Sequence, residues 1–152
     1  MSRSHILPFA VVVTLACTSS PPTASTLVPG AASVRLGDGR VDGRGATLSE
    51  GRVALGLSAF GRHGAMHPAS VGAPARVGED VEIARGSGVI EWWRSVAAGL
   101  EQGITLRERP AGAGALVLAM RVAGATRLER VSDDEVAILD EAGDPVARYA
   151  HV

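Results

Sequence analysis

GVIEWWRSVAAGLEQGITLRERPAG, residues 88–112, holds both tryptophans of the chain, side by side, ahead of a short GLEQG step. Read as a helix, its centre offers good formers in Ala97, Ala98, Leu100 and Gln102. Gly99 and Gly103 oppose that reading, because each costs about 1 kcal/mol relative to alanine in a helix interior. The spacing therefore predicts a turn over residues 96–99 and a strand from about residue 100 to 107. The segment before it, VIEWWRSV, then reads as the partner strand. Successive side chains of a strand face opposite sides. One face carries Ile90, Trp92, Arg94 and Val96, and the other Val89, Glu91, Trp93 and Ser95. The first is the more apolar, which predicts Trp92 as the core anchor and Trp93 as the more exposed ring.

Outward from this hairpin, the same period of two recurs between glycine-rich breaks. RVALGLSAF sets Val53, Leu55, Leu57 and Ala59 on one face; GEDVEIARG alternates Val81 and Ile83 with charges. ALVLAMRV groups Leu116, Leu118, Met120 and Val122 against Arg121. EVAILDEAGDPVARYAHV reads as a hairpin, with Val136 and Ile138 before a DEAGDP turn and Val146, Arg148 and Tyr149 after it. Alternation bounded by Gly, Asp and Pro is the mark of half-buried antiparallel strands. The fold class expected is all-β, a single antiparallel β-sandwich or curled meander over residues 31–152.

The chain opens MSRSHILPFAVVVTLACTSSPPTAST. Arg3 precedes an apolar run that is too short to span a bilayer as a helix, which needs about 20 residues, and suits a secretory leader. Its end, VTLAC at residues 13–17, resembles the lipobox of bacterial lipoproteins, with Thr14 where leucine is commonest. The resemblance implies a signal peptide over residues 1–16, cleavage before Cys17 and acylation of that residue, so that the partner is a membrane reached through a lipid anchor. Cys17 is the only cysteine, so it has no intrachain disulfide to make. Residues 17–30, rich in Ser, Thr and Pro, read as a flexible linker that cannot bury enough surface to fold. The localisation implied is the bacterial cell envelope, on the periplasmic side of the outer membrane or the cell surface. The alternative is cleavage further on, near PTAS, and a secreted protein.

All fifteen basic residues are arginine, and neither lysine nor asparagine occurs, which removes lysine chemistry and the Asn-Gly turn. Without Arg3, 14 basic residues stand against 16 acidic ones. With no basic run or patch, nucleic acid is excluded as the expected partner.

Neither G-x-S-x-G nor a P-loop is present, and no cofactor is expected. His63 and His67 have i, i+4 spacing, but glycines and a proline around them place them in a loop, and Asp38 and Asp42 lack the remaining ligands of a calcium loop. Asp140, Glu141 and Asp144 read as a hairpin loop. No metal is expected. Glu91 and Glu101 form the one conceivable glycosidase pair, which would require the two carboxyl groups to flank one bond. The blander reading has Glu101 and Gln102 bonding turn backbone. Trp93, Glu91, Glu101 and Gln102 are thus the candidate ligand-binding residues, with Trp93 stacking on a sugar or clasping a protein.

EWWRSVAAGLEQGITLRERPAGAGALVLAMRV resembles a segment of large secreted bacterial proteins that also carry FG-GAP (integrin α-like) repeats. Glu91, Trp92, Trp93, residues 99–103, Thr105, Pro110 and Gly112 match its pattern. SAFGRHGAM and VAILDEAGDPVARYAHV resemble its flanks, so the likeness covers residues 50–152. Ser95 and Ile104 depart from it, at a turn and at an aromatic position. The resemblance implies an N-terminal β-rich region ahead of the repeats. The repeats' calcium loops match no residue here and are not carried over. The function expected is a non-catalytic envelope domain for docking or adhesion, with a protein or a cell-surface polysaccharide as partner. The alternatives are a carbohydrate-binding module using an exposed tryptophan and a small surface hydrolase.

Overall fold

Alternating segments split by glycine fold here as a succession of hairpins. The computed structural model describes residues 11–17, 32–124 and 127–150. In chain order the strands are β1 (Val11–Cys17), β2 (Ser33–Leu36), β3 (Gly39–Asp42), β4 (Gly45–Leu48), β5 (Val53–Arg62), β6 (Ala65–Pro68) and β7 (Ala75–Val77). There follow β8 (Asp80–Gly86), β9 (Val89–Val96), β10 (Gly99–Leu106), β11 (Leu116–Ala123), β12 (Arg127–Arg130), β13 (Glu135–Leu139) and β14 (Pro145–Ala150). A single 3-10 turn, Ser49–Gly51, joins β4 to β5. The fold is all-β.

The first sheet runs β1-β11-β5-β4-β3-β2, with β6 folded back on β5; the second runs β10-β9-β8-β7; the third is β12-β13-β14. Apart from the parallel pairing of β1 with β11, the ladders are antiparallel. The chain leaves the first sheet after β6, builds the whole second sheet, and returns in β11 to the free side of β5. Arg62, 4% exposed, fixes that return by donating Nη1 to the Gly114 carbonyl at 2.6 Å. The side chains of β1, the Cys17 thiol included, lie outside the described residues, as do positions 1–10 and 18–31 of the leader and linker.

The sheets meet face to face. Leu36, Val41, Ala46, Val53, Leu55 and Val122 of the first sheet pack against Val81, Ile83 and Trp93 of the second and Ile138 of the third. Beside this cluster Leu57, Phe60, Leu116, Leu118 and Met120 close on Val89, with Ile104 and Leu106 packed at its margin. The third sheet contributes only to the first cluster, through Leu128, Ile138, Val146 and Tyr149, so it covers one end of the sandwich.

The inward sets expected in β8 and β11 are the observed ones: Val81, Ile83, Leu116, Leu118, Met120 and Val122 are all buried. In β5 the alternation breaks. Met120 pairs with Leu57 and Ala119 with Ala59, so Ser58 is an extra residue on this strand. The bulge turns Ala59 away from the buried position expected for it and places Phe60 there instead. Ser58 fits the irregular site because its hydroxyl donates to the Ala119 carbonyl at 2.9 Å. Glycine permits one close strand approach: a Cβ on Gly45 would lie 2.0 Å from the Leu55 oxygen, and one on Gly56 2.0 Å from the Arg44 oxygen.

Candidate functional site

Strand β9 distributes the candidate residues between the inside and the outside of the second sheet. Its inward positions are Val89, Glu91 and Trp93, and its outward ones Ile90, Trp92 and Arg94. Trp93 is 1% exposed, whereas Trp92 is partly exposed, which reverses the roles expected from apolar content. The cause is Glu91. A carboxylate on a face ordinarily turns that face to solvent, but Glu91 is 0% exposed and carries its own countercharge inside.

That countercharge is Arg85 of β8, itself 1% exposed. Arg85 Nε donates to Glu91 Oε2 at 2.6 Å, and Nη2 lies against the same oxygen. Arg85 Nη1 donates to the carbonyls of Gly43, at 2.7 Å, and Ser70, at 3.0 Å, and so ties the β3–β4 turn and the loop after β6 to the second sheet. The other carboxylate oxygen, Glu91 Oε1, accepts from Gln102 Nε2 at 2.5 Å and from the Leu57 backbone N–H at 3.2 Å. Gln102 Oε1 in turn accepts from the Tyr149 hydroxyl at 2.7 Å. One connected set of polar groups thereby joins all three sheets.

Burial first, and the Glu91 charge second, push the Tyr149 hydroxyl up to about 12. Each group in the set contacts another protein group, and open depressions lie away from it, at residues 127 and 140–143 and at residues 84, 86–90 and 107. A buried ion pair with its lone pairs satisfied acts on fold specificity and on the cost of alternative packings. Arg85 Nη2 touches Glu91 without a hydrogen bond of its own, and Trp93 packs beside the pair with its indole N–H buried and likewise without a partner.

Of the four candidate ligand residues, Glu91, Trp93 and Gln102 therefore point inward and only Glu101 is on the surface. Glu101 pairs with Arg94 across the ladder and stands on the outward face, while Glu91 lies opposite Ile104 and faces in. The sheet separates the two carboxylates, so they cannot flank one glycosidic bond, and the hydrolase reading loses its acid pair. Gln102 bonds side chains of the interior rather than turn backbone.

The outward face of the same sheet is partly exposed, with Glu101 and Thr105 among its exposed residues. Cross-strand register sets Gly103 and Glu82 on either side of Trp92, and Glu101 and Asp80 on either side of Arg94. Arg94 donates Nε and Nη2 to the two oxygens of Asp80 at 2.6 and 2.9 Å. That hydrogen bond holds the Asp80 carboxyl below its ordinary value, and the Asp80 partner raises Arg94. The Arg94 guanidinium carbon lies 5.5 Å from the centre of the Trp92 ring.

The remaining candidates lie in or beside turns, except that His67, expected in a loop, is on strand β6 opposite Phe60. His63 sits in the β5–β6 turn, and the His67 ring lies 6.2 Å from that of Phe60. Asp42 accepts from the Arg44 N–H at 2.7 Å, and Asp140 from the N–H groups of Ala142 and Asp144 at 3.0 Å each, which makes residues 140–144 the hairpin loop expected. Among the described residues no cluster of three or more His, Cys, Asp or Glu side chains is placed to hold a metal ion.

Arg85 escaped the sequence reading. It occupies the same phase as Val81 and Ile83, so its alternation already marked it as inward. An arginine and a glutamate on inward phases of adjacent hairpin strands are the signal for a buried pair. Trp92 was assigned to the wrong side for the same reason. No protein-family model matches the chain, and neither does any curated protein or solved structure.

Proposed function

We propose that the chain is a non-catalytic docking module of the bacterial cell envelope, tethered through Cys17 and binding its partner on the outward face of the β7–β10 sheet. One observation carries the reading. The buried polar groups of the domain, Arg85 with Glu91 and Gln102 with Tyr149, are spent inside on joining the sheets, whereas Trp92 is partly exposed on the outward face of the second sheet. A site for acid–base chemistry needs a group within reach of substrate. A docking face needs accessible aromatic area with polar groups around it.

The tether rests on the VTLAC resemblance and the composition of residues 17–30. Labelled palmitate supplied to bacteria expressing the chain is expected to enter it, and Cys17→Ser is expected to abolish the incorporation. Label retained in the Ser variant refutes the tether. Docking is tested by retention of the detergent-purified full chain on washed bacterial cells. Charge reversal at Glu101, which touches no core group, is expected to reduce retention, and an unchanged retention speaks against this face. The likeness to the region ahead of FG-GAP repeats supports the same class of role.

A further inference from the structure

Trp92 does not stand upright on its strand. A Cβ built on Gly103 would lie 1.8 Å from Trp92 Cζ2, 2.0 Å from Cε2 and 2.6 Å from Cη2, so the six-membered half of the indole occupies the space above the bare glycine. The ring is thus laid across β10, and what it exposes faces away from the sheet. Gly103 has no other evident demand: its φ is not in the left-handed region, and a strand interior otherwise disfavours glycine. The Trp92 ring, partly exposed, is packed over Gly103, with the Arg94 guanidinium carbon 5.5 Å from its centre. Around the ring stand three carboxylates, Asp80, Glu82 and Glu101, the Thr105 hydroxyl, and the Arg94 guanidinium held in place by Asp80.

We infer that this face binds a saccharide chain, one pyranose stacking on Trp92 while its hydroxyls bond the surrounding carboxylates and guanidinium. The inference rests on the docking reading and gives its ligand a chemical class. A pyranose offers an apolar C–H face and a rim of hydroxyl groups that both donate and accept. A partly exposed ring bordered by the carboxylates of Glu82 and Glu101, which can accept, and by the Arg94 guanidinium, which Asp80 holds in place, is complementary to it. The other ligands that stack on tryptophan fit worse. A nucleobase brings a phosphate backbone that needs a basic groove, and this face has three carboxylates against one guanidinium. A quaternary ammonium group needs several rings forming a cage. Here Trp93 and Phe60 are buried, and Tyr149 bonds Gln102 on the inner side.

The test uses the full chain in detergent, with cellulose, chitin, xylan and purified peptidoglycan as pull-down matrices and their soluble oligosaccharides as titrants of tryptophan fluorescence. Binding to at least one is expected. Trp92→Leu, which still covers Gly103, is expected to weaken it by about tenfold or more at an unchanged melting temperature. Glu101→Ala, an exposed rim change that leaves the core untouched, is expected to weaken it by a smaller factor. Failure of every glycan, or wild-type affinity in both variants, overturns the inference. Retention on whole cells separates the two levels. Loss of retention in Trp92→Leu without any glycan binding leaves the docking face standing and removes the saccharide, whereas unchanged retention removes both.

Discussion

Replacing Glu91 by alanine leaves the Arg85 guanidinium, 1% exposed, without its countercharge in the interior. Removing one partner of a buried pair costs about 3–5 kcal/mol, because the surviving charge has neither water nor counterion. Domains of this size are stable by about 5–15 kcal/mol, so the variant loses a large fraction of the total. A change of that size lowers the melting temperature by roughly 10–20 °C. Replacing both partners, Arg85→Met with Glu91→Leu, removes the charge and its partner together and is expected to recover part of the loss. A urea titration of the wild type, the two single variants and the double variant, followed by tryptophan fluorescence, yields the coupling energy of the cycle. We expect single-variant losses of at least about 3 kcal/mol and a double variant more stable than either single one, short of wild type because the Gly43 and Ser70 carbonyls, the Leu57 N–H and Gln102 still lose their partners. A Glu91→Ala loss below about 1 kcal/mol is the value of an exposed pair, and it would refute the buried lock.

Three further outcomes follow from the same geometry. Tyr149 is the only tyrosine, and its hydroxyl is pushed up to about 12 in the folded chain, above the unfolded value of about 10. The folded state then keeps a proton that the unfolded state releases, so stability is intact below about pH 10 and falls as pH rises toward 12. The phenolate absorbance should titrate late, and Tyr149→Phe should flatten the alkaline slope of the urea midpoint; a wild type titrating near 10 contradicts the burial of the hydroxyl beside Glu91. Asp80, held low by Arg94, gives the opposite sign: the contribution of that pair is present above the ordinary carboxylate range and is lost on acidification through the lowered value, so Asp80→Asn should steepen no alkaline effect and should remove part of the acid dependence. Gly103→Val should displace the Trp92 ring, since even a Cβ there meets it at 1.8 Å, and raise the quenching of that ring by acrylamide; unchanged quenching means that the ring does not lie on the glycine.

The strands were readable because period-two alternation and glycine breaks are local properties. Residues 99–106 form a strand because Gly99 and Gly103 disfavour helix, and Gly103 then serves as the bed of a cross-strand ring. Which face of β9 turns inward was not readable from that strand alone. Counting apolar residues assigns a glutamate to solvent, and only the arginine at an inward phase of β8 reverses the assignment. The Ala59 position failed for a related reason, since nothing within RVALGLSAF announces that Ser58 is accommodated as a bulge by β11. The Gln102–Tyr149 contact joins residues 47 positions apart and had no local trace. Long-range polar pairing, rather than hydrophobic pattern, is what separates the sequence reading from the observed site.

The opposite fates of neighbouring indoles can be measured directly. Single-tryptophan forms, Trp92→Phe retaining only Trp93 and Trp93→Phe retaining only Trp92, are titrated with acrylamide in the folded and urea-unfolded states. The account predicts that Trp93 is strongly protected in the folded chain and that Trp92 is readily quenched. Equal quenching of the two, or a protected Trp92 beside an accessible Trp93, would contradict both the buried Arg85–Glu91 lock and the outward docking face.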